Sequence, residues 1–117
     1  VARGATIPSM ATGVRVRSGE RPEISPDTVF TGALIRQVRD AARINLRDVS
    51  QKTKIGLMYL RAIEEDDFAK LPAVVYASGF VAEYAKVLKL DPQQVSRTYV
   101  RRYKRFLEEK QRGGVAR

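Results

Sequence analysis

From Thr31 onward, apolar residues recur at the three- and four-residue steps that are typical of amphipathic α-helices. The first run predicts a helix over about residues 31–43, with the Thr31 side chain as its N-terminal cap. A second run, capped by Asn45, predicts a short helix ending near residue 53, and a third helix is predicted over residues 56–65. The pattern therefore predicts three consecutive helices, of which the last two are short and close together.

Two longer helices follow in the same pattern. Pro72 suits the first turn of a fourth helix, which carries apolar positions as far as Leu88. The pair Asp91-Pro92 repeats this start signal for a fifth helix, which is expected to run to about residue 111 and to stop at the Gly113-Gly114 pair. Without a convincing strand pattern, the prediction is an all-α, five-helix bundle. The apolar stripe of the fifth helix consists of Val95, Tyr99, Tyr103 and Phe106.

The ends of the chain lack this helical period. Residues 1–29 hold three of the five prolines and several glycines, so we expect a flexible linker or tail there. The helical domain is assigned to residues 30–111, and residues 112–117 are expected to be a second flexible tail. Because the chain begins with Val1 rather than Met, we expect it to be a piece of a longer protein.

The amino-acid composition excludes most kinds of catalytic site. The 117 residues include no His and no Cys, which excludes Ser-His and Cys-His nucleophile pairs and zinc sites of the usual ligands. The glycines fit neither of the common phosphate-binding loops. We therefore predict a non-enzymatic domain with no cofactor and no metal. No run of 18 apolar residues is present, so no membrane span is expected in this chain.

The net charge of the chain indicates the class of its partner. The chain carries 22 Lys and Arg against 13 Asp and Glu, a net charge of +9, and +5 of this falls within residues 91–117. Such a balance indicates an anionic partner, which could be a nucleic acid, an anionic membrane surface or an acidic protein. Five cations of the fifth helix are candidate contacts to phosphates or to an anionic surface, with a solvated helix face as the alternative: Arg97, Arg101, Arg102, Lys104 and Arg105.

A string of spaced residues resembles a known family. Residues 45–65, from Asn45-Leu46-Arg47-Asp48-Val49 to Ala62-Ile63-Glu64-Glu65, resemble a helix-turn-helix of the phage-repressor type. The continuation resembles the cytoplasmic domain of RodZ-like proteins, and the whole match covers roughly residues 30–100. The residues of this continuation are Phe68, Leu71-Pro72, Val75-Tyr76, Gly79-Phe80, Tyr84-Ala85, Leu88 and Leu90-Asp91-Pro92.

The resemblance implies a five-helix domain and two different functions. Repressor-type relatives bind operator DNA with the helix at residues 56–65. RodZ-like relatives bind the bacterial actin MreB, and the aromatic pair that matches Tyr76 and Phe80 contacts it. They also carry a basic stretch beside one membrane helix, which residues 101–105 match here. The resemblance places the domain in the bacterial cytoplasm, or at the cytoplasmic face of the membrane if the full-length protein has an anchor.

The residue types at the helix-turn-helix favour a protein partner over DNA. Side chains that recognise base edges in DNA need hydrogen-bonding groups. The two positions that match such residues in repressor-type domains are occupied here by Leu46 and Leu57. Lys52, Lys54 and Arg61 could still contact phosphates, which gives affinity without sequence information. The acidic run at residues 64–67 is expected to be a solvated turn away from any DNA.

The predicted function is therefore a non-catalytic helix-turn-helix adaptor that binds a protein, with MreB or another scaffold as the partner. The alternative is a DNA-binding transcriptional regulator that contacts mainly phosphates. For the aromatic residues, burial in the core is the competing interpretation, and the Gly79 between them is expected to allow close packing of a backbone. The predicted protein-binding surface consists of Leu57, Met58, Arg61, Tyr76 and Phe80.

Overall fold

The computed structural model describes residues 21–115, and within this range all regular structure is helical. The described part holds five α-helices and one short 3₁₀-helix, which confirms the predicted all-α bundle. These elements are α1 (Gly32–Ala41), α2 (Leu46–Thr53), α3 (Leu57–Glu64), the 3₁₀-helix (Phe68–Lys70), α4 (Val74–Val87) and α5 (Pro92–Val115).

Two helices begin at the caps that the sequence indicates. The Thr31 hydroxyl accepts a hydrogen bond from the Leu34 backbone N–H at 3.1 Å. The Asn45 side-chain oxygen accepts one from the Asp48 N–H at 2.9 Å. Each cap supplies a partner to a backbone donor that the first helical turn leaves free.

Helices α4 and α5 form the most extensive helix pair, and a single core draws side chains from all five helices. Tyr84 of α4 and Tyr99 of α5 are fully buried, as is Phe30, which precedes α1. Burying one such side chain stabilises the folded state by about 1.5–3 kcal/mol. Most of the remaining core is aliphatic: Ile35, Val38, Val49, Leu60, Ile63, Val81, Leu88 and Val95.

Helices α1 and α3 approach one another at Gly32. A Cβ atom at this position would lie closer than 3.0 Å to the carbonyl oxygens of Ile63 and Glu64. These are backbone atoms, so they cannot move aside by a simple rotamer change. The first helical residue of α1 must therefore be glycine if α3 is to end where it does.

The N-terminal part of the described chain is anchored to α5. The Gln94 amide donates hydrogen bonds to the Ser25 and Thr28 carbonyl oxygens, at 2.8 Å and 3.1 Å. The Phe30 N–H donates to the Thr98 hydroxyl at 3.0 Å. Ser25 and Thr28, near the end of the segment expected to be a flexible linker (residues 1–29), are thus hydrogen-bonded to a side chain of α5. Residues 1–20 of that linker lie outside the described residues.

Helix α5 is longer than the sequence predicts. It continues through Gly113 and Gly114 to Val115, whereas we expected it to stop near residue 111. Glycine costs a helix about 1 kcal/mol relative to alanine, but it keeps the backbone N–H that the next hydrogen bond needs. The glycine pair therefore weakens the end of α5 without terminating it. The last two residues of the expected C-terminal tail are outside the described range.

Candidate functional site

The turn between α2 and α3 is fixed by local hydrogen bonds. Lys54 ends α2 in the left-handed conformation, with φ of 64°. The Ser50 hydroxyl donates to the Ile55 carbonyl oxygen at 2.6 Å, and the Ile55 N–H donates to the Thr53 hydroxyl at 3.2 Å. Ile55 itself is buried. These contacts hold α3 in a defined orientation across α2, and they determine which side chains α3 presents to solvent.

The outer side of α3 is largely apolar at its start. Met58 is 62% exposed, Leu57 is half-buried, and Arg61 is exposed one turn further on. Leu57 and Arg61 line a shallow depression together with Leu46 and Arg47 of α2. The two positions where a DNA reader is expected thus carry leucines that contribute no hydrogen bond, while cations flank them.

An aromatic contact joins α3 to α4. The rings of Tyr59 and Phe80 lie 5.5 Å apart between centroids, tilted by 45°. Both side chains are half-buried and pack against the edge of the core. Phe80 is therefore partly a structural residue, and only part of its side chain is exposed.

Tyr76, one turn before Phe80, has a different environment. It is 64% exposed, and its neighbour Val75 is 71% exposed. Gly79 is also exposed, and an added Cβ there would have no atom within 4 Å. The close backbone packing that the sequence suggests at Gly79 is therefore not supplied by the chain's own helices within the described residues. We call Met58, Val75, Tyr76, Gly79 and Phe80 the docking surface.

Two members of the acidic run at residues 64–67, Glu64 and Asp66, are structural, which corrects the expectation of a solvated turn for these two residues, whereas Glu65 is exposed. Glu64 accepts from Arg39 through both carboxylate oxygens, at 2.6 Å and 3.1 Å, and also accepts from the Tyr84 hydroxyl. Its side chain is only 7% exposed. Burial and the neighbouring Glu64 carboxylate raise the pKa of Tyr84 well above the ordinary phenol range. The three side chains clamp α1, α3 and α4 together.

Asp66 makes a second clamp, to α5. Its carboxylate accepts from Arg102 at 2.8 Å and 3.1 Å and from the Gly32 N–H at 3.0 Å. The Arg102 guanidinium also lies over the Phe68 ring, 5.4 Å from its centroid. Hydrogen bonds from this guanidinium to the Asp66 carboxylate are the main reason that the pKa of Arg102 is raised. Arg102 is thus engaged inside the fold, and the prediction that it contacts an external anion is not supported by its position.

The other predicted cations are exposed in two separate groups. Lys52, Lys54 and Arg61 lie on the helix-turn-helix. The second group is on α5, so the structure does not gather all of these cations into one site. Its exposed members are Arg97, Arg101, Lys104 and Arg105.

Sequence reasoning missed the part played by Phe68. Its ring lies 5.7 Å from that of Tyr103 and 5.8 Å from that of Tyr99, at the centre of an aromatic cluster that closes the end of the bundle. Phe106 completes the cluster at 5.5 Å. The available signal was an aromatic residue between an acidic run and a proline, which is too short a segment to show a helical period.

Two short helices joined by a tightly hydrogen-bonded turn, inside a five-helix bundle, define a helix-turn-helix domain. A family model described as a helix-turn-helix domain matches residues 34–95, so the chain belongs to that family. Within it the domain is RodZ-like: the chain is 37% identical over 68 residues to the protein named cytoskeleton protein RodZ of Streptococcus pneumoniae. The match covers 58% of this chain and 25% of that relative.

The similarity to known proteins is limited to part of the relative's length and extends to no solved structure. No solved structure matches the chain significantly. Among residues 21–115, none of the helices has the length and apolar character needed to cross a membrane. The chain spans about a quarter of the curated relative that it matches, so the similarity concerns the helix-turn-helix part of that protein.

Proposed function

We propose that this domain is a non-catalytic adaptor that binds a protein through the docking surface, on the cytoplasmic side of a bacterial cell. The observation that carries the proposal is the exposure of Tyr76, a large aromatic side chain that is 64% exposed. Aromatic residues are enriched at the centres of protein interfaces. The related protein is named as a cytoskeletal protein, and the family resemblance makes MreB the first partner to test.

The neighbouring residues support docking of a protein. Val75, next to Tyr76 on α4, and Met58, next to Tyr59 on α3, are two further exposed apolar side chains. Gly79 leaves an open position beside Tyr76, where a partner backbone can approach closely. Exposed apolar groups that lie together, rather than singly, are typical of interaction sites. Arg61, exposed on α3, would steer an acidic partner toward this surface.

Co-sedimentation with purified MreB polymers tests the proposal. We expect Tyr76→Asp to reduce binding at least about tenfold, because it places a charge at the centre of an apolar contact. The matched control is Val29→Asp, which changes an exposed apolar residue outside the docking surface. Equal loss of binding in both variants, or no loss in either, would contradict the proposed surface. Circular dichroism and thermal melting establish that each variant is folded.

A second candidate function is DNA binding through phosphates. It is favoured by the exposed cations Lys52, Lys54 and Arg61 on the helix-turn-helix. Anisotropy with labelled mixed-sequence duplex DNA, measured across a salt titration, tests it. Submicromolar binding at physiological salt that is lost in Lys52→Glu with Arg61→Glu would establish this function. Weak binding that disappears as salt is added would show only a nonspecific positive field, since each phosphate contact releases counterions.

A further inference from the structure

A second open surface runs between α4 and α5. Two adjoining depressions share Ser78, Ser96 and Arg97 and have volumes of about 600 Å³ and 310 Å³. Their lining includes small residues: the Ser78 and Ser96 hydroxyls lie 2.9 Å apart, and Ala82 also lines the larger depression. The shared residues join the two depressions into one shallow groove.

The rim of this groove is cationic. Arg97, Arg101 and Lys104 follow one another at four- and three-residue steps on α5, so they share one helix face. None of the three forms an ion pair with a described acidic residue, in contrast to the engaged Arg102. On the opposite rim, Lys86 pairs with Glu83 at 3.0 Å, but both side chains are more than half exposed, so this pair is weak.

The groove adjoins the docking surface around α4. Ser78 and Phe80 are separated by about 200° of rotation, but other members of the two surfaces lie close together around the helix. Ala82 and Lys86 of the groove and Val75 and Gly79 of the docking surface fall within about 60° of one another. The two surfaces therefore consist of different residues but meet on this side of α4.

We propose that this groove binds an acidic, amphipathic peptide segment of a second protein partner. The cationic rim complements carboxylates, and Ala82, Pro92 and Val100 offer apolar contact that a phosphate backbone would not use. The concave floor favours a peptide over a bilayer surface, which is flat. This inference does not depend on the proposed function, because it concerns other residues and another partner.

The test uses the full chain and a short fluorescein-labelled peptide that carries glutamates on one helical face and leucines on the other. We expect binding at physiological ionic strength that falls at least about tenfold in Arg97→Glu with Arg101→Glu. The matched control is Arg47→Glu with Lys52→Glu, which changes the net charge equally on α2. Its affinity should stay within about twofold of the wild-type value.

A second variant tests the shape of the groove without changing its charge. Ala82→Trp fills the floor of the groove without changing any charge, and we expect it to weaken peptide binding while leaving the far-UV spectrum unchanged. A peptide with serine in place of leucine should also bind more weakly. Equal weakening by the groove and control double variants would overturn the proposal. So would groove-dependent binding of duplex DNA or of phosphatidylglycerol vesicles under conditions in which the peptide does not bind.

Discussion

At the scale of single residues, two carboxylates in the acidic run hold the helices together. Glu64 joins α1 to α4 through Arg39 and Tyr84, and Asp66 joins the start of α1 to α5 through Arg102. A partly buried charge of this kind is costly to leave without its partner, which makes each clamp sensitive to a change of one atom.

Glu64→Gln tests the first clamp. Replacing the carboxylate leaves the Arg39 charge, which is 12% exposed, with only the longer 3.7 Å contact to the half-exposed Asp40 among the described ion pairs. We therefore expect the free energy of unfolding to fall by about 2–4 kcal/mol. Urea unfolding measures the change. Glu83→Gln is the matched control, because its pair with Lys86 is solvent-exposed, and there we expect a change of at most about 0.5 kcal/mol. Similar losses in the two variants would show that Glu64 has no special structural role.

The buried phenols predict instability at alkaline pH. The raised pKa of Tyr84 means that the folded state keeps a proton which the unfolded state releases above about pH 10. The stabilisation is thus fully present below pH 10 and decreases as the pH rises further, by about 1.4 kcal/mol per pH unit for one phenol.

Tyr84→Phe removes one of these protons, so between pH 9 and 11 its unfolding free energy should fall less steeply than that of the wild type. Urea unfolding at a series of pH values gives the two slopes, and the difference between them cancels the contribution of the lysines. Parallel slopes would contradict the assignment of a proton retained on Tyr84 in the folded state.

At the scale of helices, glycine is used in two opposite ways. Gly32 lets α1 pass against the last carbonyl groups of α3, where no side chain fits. Gly79 lies in the middle of α4, on a side that nothing in the described chain covers. The first glycine serves the fold, whereas the second weakens a helix without any benefit to packing, which is consistent with a role at the docking surface.

The same substitution should therefore have opposite effects at the two positions. We expect Gly32→Ala to destabilise the protein by about 2–3 kcal/mol or more, because the added methyl group collides with backbone atoms. Gly79→Ala should stabilise it by about 1 kcal/mol through helix propensity. Thermal unfolding monitored by circular dichroism measures both. A loss of stability in Gly79→Ala would reveal a contact at that position.

At the scale of the whole molecule, the sequence predicts the helices better than the surfaces. Caps and apolar spacing locate the starts of α1 and α2 because these signals are local. Tyr76 and Phe80 look alike in the sequence, and Phe80 is more buried because it packs against Tyr59 and the edge of the core. Likewise, Arg101 and Arg102 are adjacent, and Asp66, which engages only the second, is 36 positions away from it.

The two surfaces should interfere with one another if both proposals hold. Because they adjoin on α4, saturating the chain with MreB should lower the affinity for the acidic peptide by more than about twofold. Peptide anisotropy in the presence and absence of MreB measures this coupling. An unchanged peptide affinity would contradict the expected interference.

The distribution of tyrosines also provides an intrinsic fluorescence probe of binding. With five tyrosines and no tryptophan, the intrinsic fluorescence comes from phenol rings alone. Tyr84, Tyr99 and Tyr103 are buried, with hydroxyls bonded to Glu64, Ile63 and Pro72. A quencher dissolved in the buffer therefore reaches Tyr76 first. Protection of that fraction of the emission would report occupancy of the docking surface without any label.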